Sequence, residues 1–169
     1  MKHVGVLLLC AMLAACQPEN KEVVSEFTGN ETTYDLQTAS DFSVSGAITF
    51  KERKDGKITA VIQLIGTSGN SKHPVHLHRG DVTTADADVA LLLNPVQAST
   101  GRSETTFNML SDETTITYAQ LKNLEASVKI HLGDVGDARN VILVAGNVGA
   151  SFAKANPTGR TGISVCKSE

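Results

Sequence analysis

From Asp41 onward, apolar residues recur at alternate positions in short runs, and clusters of Gly, Asp, Asn and Pro separate the runs. A period of two between turn residues is the pattern of half-buried β-strands. Phe42, Val44, Ala47, Ile48 and Phe50 mark a first strand region, in which Gly46 suggests a bulge. Asp55-Gly56, inside a charged loop from Lys51 to Lys57, signals a hairpin with a type I′ turn. Lys57 to Ile65 has apolar residues on both faces, as a central strand does. After a turn from Gly66 to Asn70 comes a strand with Val75 and Leu77 on one face and His76 and His78 on the other. Val89 to Leu93 is wholly apolar and is stopped by Asn94-Pro95, which reads as a buried strand. A weak strand lies around Thr105 to Phe107, and Tyr118 to Leu121 suits one helical turn. Leu124 to Leu132 and Val141 to Val148 are further strands, the second with a bulge at Gly146-Asn147, and Ile163 to Val165 suits a closing edge strand. Six to eight short strands with turns about every ten residues predict an all-β domain, an antiparallel Greek-key β-sandwich.

Composition agrees. Aromatic residues are only 4% of the 169, tryptophan is absent, and small β-branched residues are plentiful, which favours strands over a helical bundle. The N-terminus adds a location. Met1-Lys2-His3 is a short basic start, and Val4 to Leu13 is apolar but too short to span a bilayer. Leu13-Ala14-Ala15-Cys16 resembles the lipobox of bacterial lipoproteins. That resemblance implies a signal peptide over residues 1–15, cleavage before Cys16, and acyl chains on the Cys16 thiol and amine. Several chains anchor a protein to a membrane where one alone binds marginally. Gln17 after the cysteine, by similarity to enterobacterial sorting, points to the outer membrane. The polar stretch of residues 16–40 reads as a tether, and the domain as residues 41–169. With Cys10 lost and Cys16 acylated, Cys166 is the remaining thiol, so no intrachain disulfide is expected. Loss of Lys2 leaves 14 of the 15 basic residues against 18 acidic ones, a charge near −4, with no basic patch for nucleic acid.

The candidate chemistry is concentrated in Lys72-His73-Pro74-Val75-His76-Leu77-His78-Arg79-Gly80-Asp81-Val82, which holds three of the five histidines. Imidazoles at i and i+2 project from one strand face about 6–7 Å apart and can close on one metal ion. Val128-Lys129-Ile130-His131-Leu132-Gly133-Asp134-Val135 repeats the frame, with His131 where His78 stands. His76, His78 and His131 are therefore candidate ligands for copper or zinc, with His73 a candidate fourth. Lys129, two positions before His131 on the same face, argues against a densely ligated site. The structural alternative is that both segments are strand ends followed by Gly-Asp turns. Arg79-Gly80-Asp81 fits that turn role better than recognition by a receptor, and Asp86-x-Asp88 lacks the ligand count of a calcium loop. No Gly-x-Ser-x-Gly elbow supports a hydrolase.

Gly46-x-x-x-Phe50, the Asp55-Gly56 hairpin, Ile62-x-Leu64, His76-Leu77-His78 with Gly80, Val89 to Leu93 and Val128-x-x-His131 together resemble the CHRD (chordin-like) domain, over roughly Asp41 to Gly149. The chain departs from that family where Asn140 to Gly149 replaces its closing Gly-Glu-Ile-Arg-Gly stretch. CHRD domains are in turn distantly similar to copper/zinc superoxide dismutases, whose copper pair is His-x-His. The analogy implies copper ligation by His76, His78 and His131, but the zinc loop and the disulfide pair have no counterpart here. The expected function is that of a lipid-anchored envelope module, binding or structural, without turnover, with a candidate histidine metal site and an envelope protein or ligand as partner. Its alternative is a copper-dependent, superoxide dismutase-like oxidoreductase.

Overall fold

The computed structural model describes residues 24–84 and 87–155. The described strands are β1 (Phe27–Thr38), β2 (Ser45–Arg53), β3 (Ile58–Ile65), β4 (Lys72–Arg79), β5 (Val89–Gln97), β6 (Arg102–Phe107), β7 (Glu125–His131) and β8 (Ile142–Val148). Helices α1 (Tyr118–Asn123) and α2 (Gly149–Lys154) and a 3-10 turn over Gly136–Arg139 complete it. The all-β class and antiparallel pairing hold. The sheet closes on itself as one barrel in the order β1-β2-β3-β6-β5-β4-β7-β8, where the sequence suggested two packed layers.

The strand that closes the barrel is β1, which pairs with β2 along its length and with β8 through Gln37 and Thr38. It lies wholly within residues 16–40, the stretch read from sequence as tether. Only Tyr34 and Leu36 of β1 are buried, so a strand polar along most of its length carries almost no periodic signal. The leader, Cys10, Cys16, Cys166 and the expected edge strand at Ile163 to Val165 lie outside the described residues.

Inside the barrel, residues of every strand meet in one core that includes Leu36, Ile48, Phe50, Ile62, Leu77 and Ile130. The two expected bulges are absent: Gly46 pairs regularly with Leu36 and Leu64, and Gly146 with Val128. Both glycines serve close approach instead. A Cβ on Gly46 would lie 2.2 Å from the Gln63 carbonyl oxygen, and one on Gly146 2.3 Å from that of Asp35. The Asp55-Gly56 hairpin is also built differently. Gly56 N–H donates to Arg53 O, Arg53 N–H donates to Lys57 O, and the only non-glycine residue with positive φ among those described is Glu113. A type I′ turn needs positive φ at both central residues, so this is a three-residue loop with Gly56 (φ 81°) in the left-handed position.

The seam between β5 and β6 has a single ladder pair, Gln97 with Arg102. Pro95 has no N–H for a ladder, and side chains join the strands instead. Asn94 N–H donates to Thr105 Oγ1 (2.8 Å), Asn94 Nδ2 to Glu104 O (2.7 Å), and Ser103 Oγ to Asn94 O (2.5 Å). The predicted helical turn is α1, capped by Thr117, whose side chain accepts from Gln120 N–H while the Gln120 side chain accepts from Thr117 N–H. No helix of the described residues is long and apolar enough to cross a membrane.

A candidate metal centre on the outer wall

Alternation along β4 sends Val75 and Leu77 into the core and His76 and His78 to the outer wall. On β7 the core takes Ala126, Val128 and Ile130, which turns Ser127, Lys129 and His131 outward. The antiparallel register sets His76 opposite Lys129 and His78 opposite Ser127. His131 lies one step further along, diagonal to His76. The imidazole centroids of His76 and His131 are 4.7 Å apart and those of His76 and His78 5.7 Å. Each of the three rings offers a ligand nitrogen, and these nitrogens all lie within 4.8 Å of one another. Ligands at 2.0–2.1 Å from one ion are at most about 4 Å apart, so small rotamer shifts suffice.

This wall is not open to solvent, as a strand face in the sequence suggests. Two connections fold over it. After β4, Gly80 N–H donates to Glu125 O and Val82 N–H to the Asn147 side chain, and Val82 packs on Ile142 and Ala145. After β7, Leu132 N–H donates to Val141 O and Gly133 N–H to Ala138 O, which returns the chain past the ring of His131. His78, Ser127, Lys129 and His131 are consequently buried, and only His76 is half-exposed.

Both connections also orient the rings. His78 Nδ1 meets the Ala87 carbonyl at 2.9 Å, and His131 Nδ1 meets the Arg139 carbonyl at 2.7 Å. A carbonyl only accepts, so each Nδ1 carries the proton and each neutral ring has its lone pair on Nε2. Second partners of this kind are how ligating histidines are held in one tautomer. His76 is different. Its Nδ1 is buried with no hydrogen-bond partner among the described residues, a condition that costs about 1–3 kcal/mol in a protein interior.

Burial is the first reason that all three imidazoles resist protonation. For His76, burial and then the neighbouring His131, His78 and Arg139 charges bring the pKa down to about 4. His78 is lowered by burial, against the Ala87 hydrogen bond, with Lys129 and His131 adding repulsion. His131 is lowered in the same way, against its bond to Arg139 O, by burial and then by Lys129 and Arg139. At neutral pH the rings are uncharged, the state in which imidazole ligates.

His73, the candidate fourth ligand, stands apart from this cluster. It is paired in register with Val96 of the core, and its Nδ1 meets Leu132 O at 3.0 Å. Alternation places it with Val75 and Leu77, on the face opposite His76 and His78, and the extra residue of the nearby register shift lies on β5. Lys129 does not block the cluster, because it faces His76 squarely while His131 reaches across the diagonal. The carbonyls of Ala87 and Arg139 had no signal in the sequence, since any residue supplies a carbonyl and loop closure decides which one arrives. The repeated Gly-Asp-Val frame likewise leads to two different loops, with Val82 buried and Val135 exposed.

No family model matches this chain, and neither does any curated protein or solved structure.

Proposed function

We propose that this protein is a metal-binding module of the bacterial envelope, anchored through acylated Cys16, in which His76, His78 and His131 hold one copper or zinc ion. The observation that carries the metal reading is the buried, unpartnered Nδ1 of His76 beside two imidazoles whose protons are already committed to carbonyls. A Lewis acid at their meeting point satisfies that nitrogen and the two Nε2 lone pairs together. Three nitrogen donors leave a coordination position open, and half-exposed His76 marks the side from which it is reached. The proposal includes the CHRD-like assignment and a location in the outer membrane, both resting on the sequence motifs. An envelope ligand or protein is the expected partner, and among the described residues no set for acid–base or nucleophilic turnover accompanies the three histidines.

A second reading, copper-dependent superoxide turnover, is favoured by the same open position and the all-histidine donor set. Superoxide dismutation by copper-loaded protein no faster than by the His76→Ala, His78→Ala variant removes it. The metal reading itself is tested by calorimetric titration of purified protein with Cu(II) and Zn(II) at pH 7.5. One site per chain is expected, and it should be abolished by His78→Ala. Heat that never saturates, or a site that survives in that variant, contradicts the proposal.

A further inference from the structure

The three imidazoles of the outer wall are not held alike. His78 and His131 are 0% and 1% exposed, and a roof carbonyl fixes each Nδ1, Ala87 O at 2.9 Å and Arg139 O at 2.7 Å. His76 is half-exposed, and its Nδ1 has no hydrogen-bond partner among the described residues. The strand register explains the difference. His76 pairs with Leu92 on the β5 side and with Lys129 on the β7 side. Residues paired in this way point to the same face of a sheet and are its closest cross-strand neighbours. Leucine makes no hydrogen bond and a lysine ammonium only donates, so neither can hold an imidazole N–H as the two carbonyls do. Leu92 is itself 64% exposed, so the wall is open to solvent on that side. Ligating imidazoles are ordinarily fixed by a second hydrogen bond that sets the tautomer and the direction of the ring. A ring without that bond loses no orienting contact when it turns away from the metal.

We infer that His76 is the exchangeable ligand of this centre, through which the metal enters and leaves while His78 and His131 keep hold of it. An incoming pair of donors takes first the open position and then the position that His76 vacates. The bond from the metal to His76 breaks as the second bond to the incoming pair forms, and the oxidation state of the ion does not change. The metal is thus handed over by ligand exchange and is never free. The partner this chemistry fits is a metal carrier that offers two nitrogen or sulfur donors, the ligand types that copper and zinc accept. The inference rests on the three-histidine reading above and adds that the bound ion is cargo, not a permanent cofactor.

The test is a titration of the Zn(II)-loaded protein with bipyridine, a donor of two nitrogens, followed by NMR of the histidine ring nitrogens. Zn(II) alone should shift the ring signals of His76, His78 and His131. As bipyridine is added, the His76 signals should return to their metal-free positions first, while those of His78 and His131 stay at their metal-bound positions. The mixed complex then has two protein imidazoles and two bipyridine nitrogens, the tetrahedral set that zinc favours. All three histidines reverting in step overturns the exchange role, and so does a His76 that stays bound at every bipyridine concentration. A Zn(II) shift missing from any of the three removes the three-histidine site, and the exchange role with it.

Discussion

Acid should destabilise the metal-free protein well above the pH at which carboxylates titrate, and His76 should carry a measurable part of the effect. The ring protonates near pH 4 in the folded chain and near 6.5 when unfolded. Its folded pKa is depressed, so the unfolded state binds more protons between those values. The histidine's contribution is present in full above about pH 6.5 and is lost as the pH falls toward 4. A gap of about two and a half pH units at 1.36 kcal/mol each sets a ceiling near 3 kcal/mol. Because His76 is half-exposed, solvent screening reduces this to about 1–2 kcal/mol. His78 and His131 are lowered in the same direction and add to the loss. The carboxylates with lowered pKa, Glu52, Asp55, Asp81 and Asp112, titrate below pH 4.5. Urea unfolding of metal-free wild type and His76→Gln from pH 7.5 to 4.5 separates the terms. The wild type should lose stability more steeply between pH 6.5 and 4.5, and the two curves should converge by about 1 kcal/mol or more. Parallel curves would falsify the burial argument for His76.

Other outcomes follow from the packing and the motifs. Saturating Zn(II) at a hundred times its dissociation constant should raise wild-type stability at pH 7.5 by about 2.7 kcal/mol, with no gain in His131→Ala by urea unfolding. Leu77→Ala, which empties a fully buried core position between the two metal-side histidines, should cost about 2–5 kcal/mol in the same assay. Gly146→Ala forces a Cβ onto the Asp35 carbonyl and should lower stability by about 1–3 kcal/mol through strain where β1 meets β8; an unchanged melting temperature would show that the strands separate freely there. Cys16→Ser should move the protein from the membrane to the soluble fraction of fractionated cells, and membrane retention would refute the anchor.

Much of the wall that bears the histidines was legible in the sequence, because alternation alone assigns Val75 and Leu77 inward and His76 and His78 outward. The matching frame around His131 named the third imidazole for the right reason, the parity of its strand. What alternation cannot show is the register between strands, so it gave no sign that His131 meets His76 diagonally while Lys129 stands opposite. It also treats the outward face as wet. The two connections that roof His78, Ser127, Lys129 and His131 are polar loops whose docking depends on long-range bonds, such as Val82 N–H to Asn147. The barrel's closing strand was missed because β1 buries just Tyr34 and Leu36, and its pairing is carried by main-chain hydrogen bonds that leave no pattern in side-chain polarity. At Gly46 and Gly146 a glycine read as a bulge proved to be room for a neighbouring carbonyl, a distinction that exists only between strands.

The most direct test of the three-histidine site is X-ray absorption at the copper edge of the loaded protein, run with single His76→Ala, His78→Ala, His131→Ala and His73→Ala variants. The structure predicts three imidazole nitrogens at about 2.0–2.1 Å in the wild type. One should be lost in each of the first three variants, with an unchanged spectrum in His73→Ala. An imidazole count that falls in His73→Ala, or that stays at three when His76 is removed, contradicts the site as it is described here.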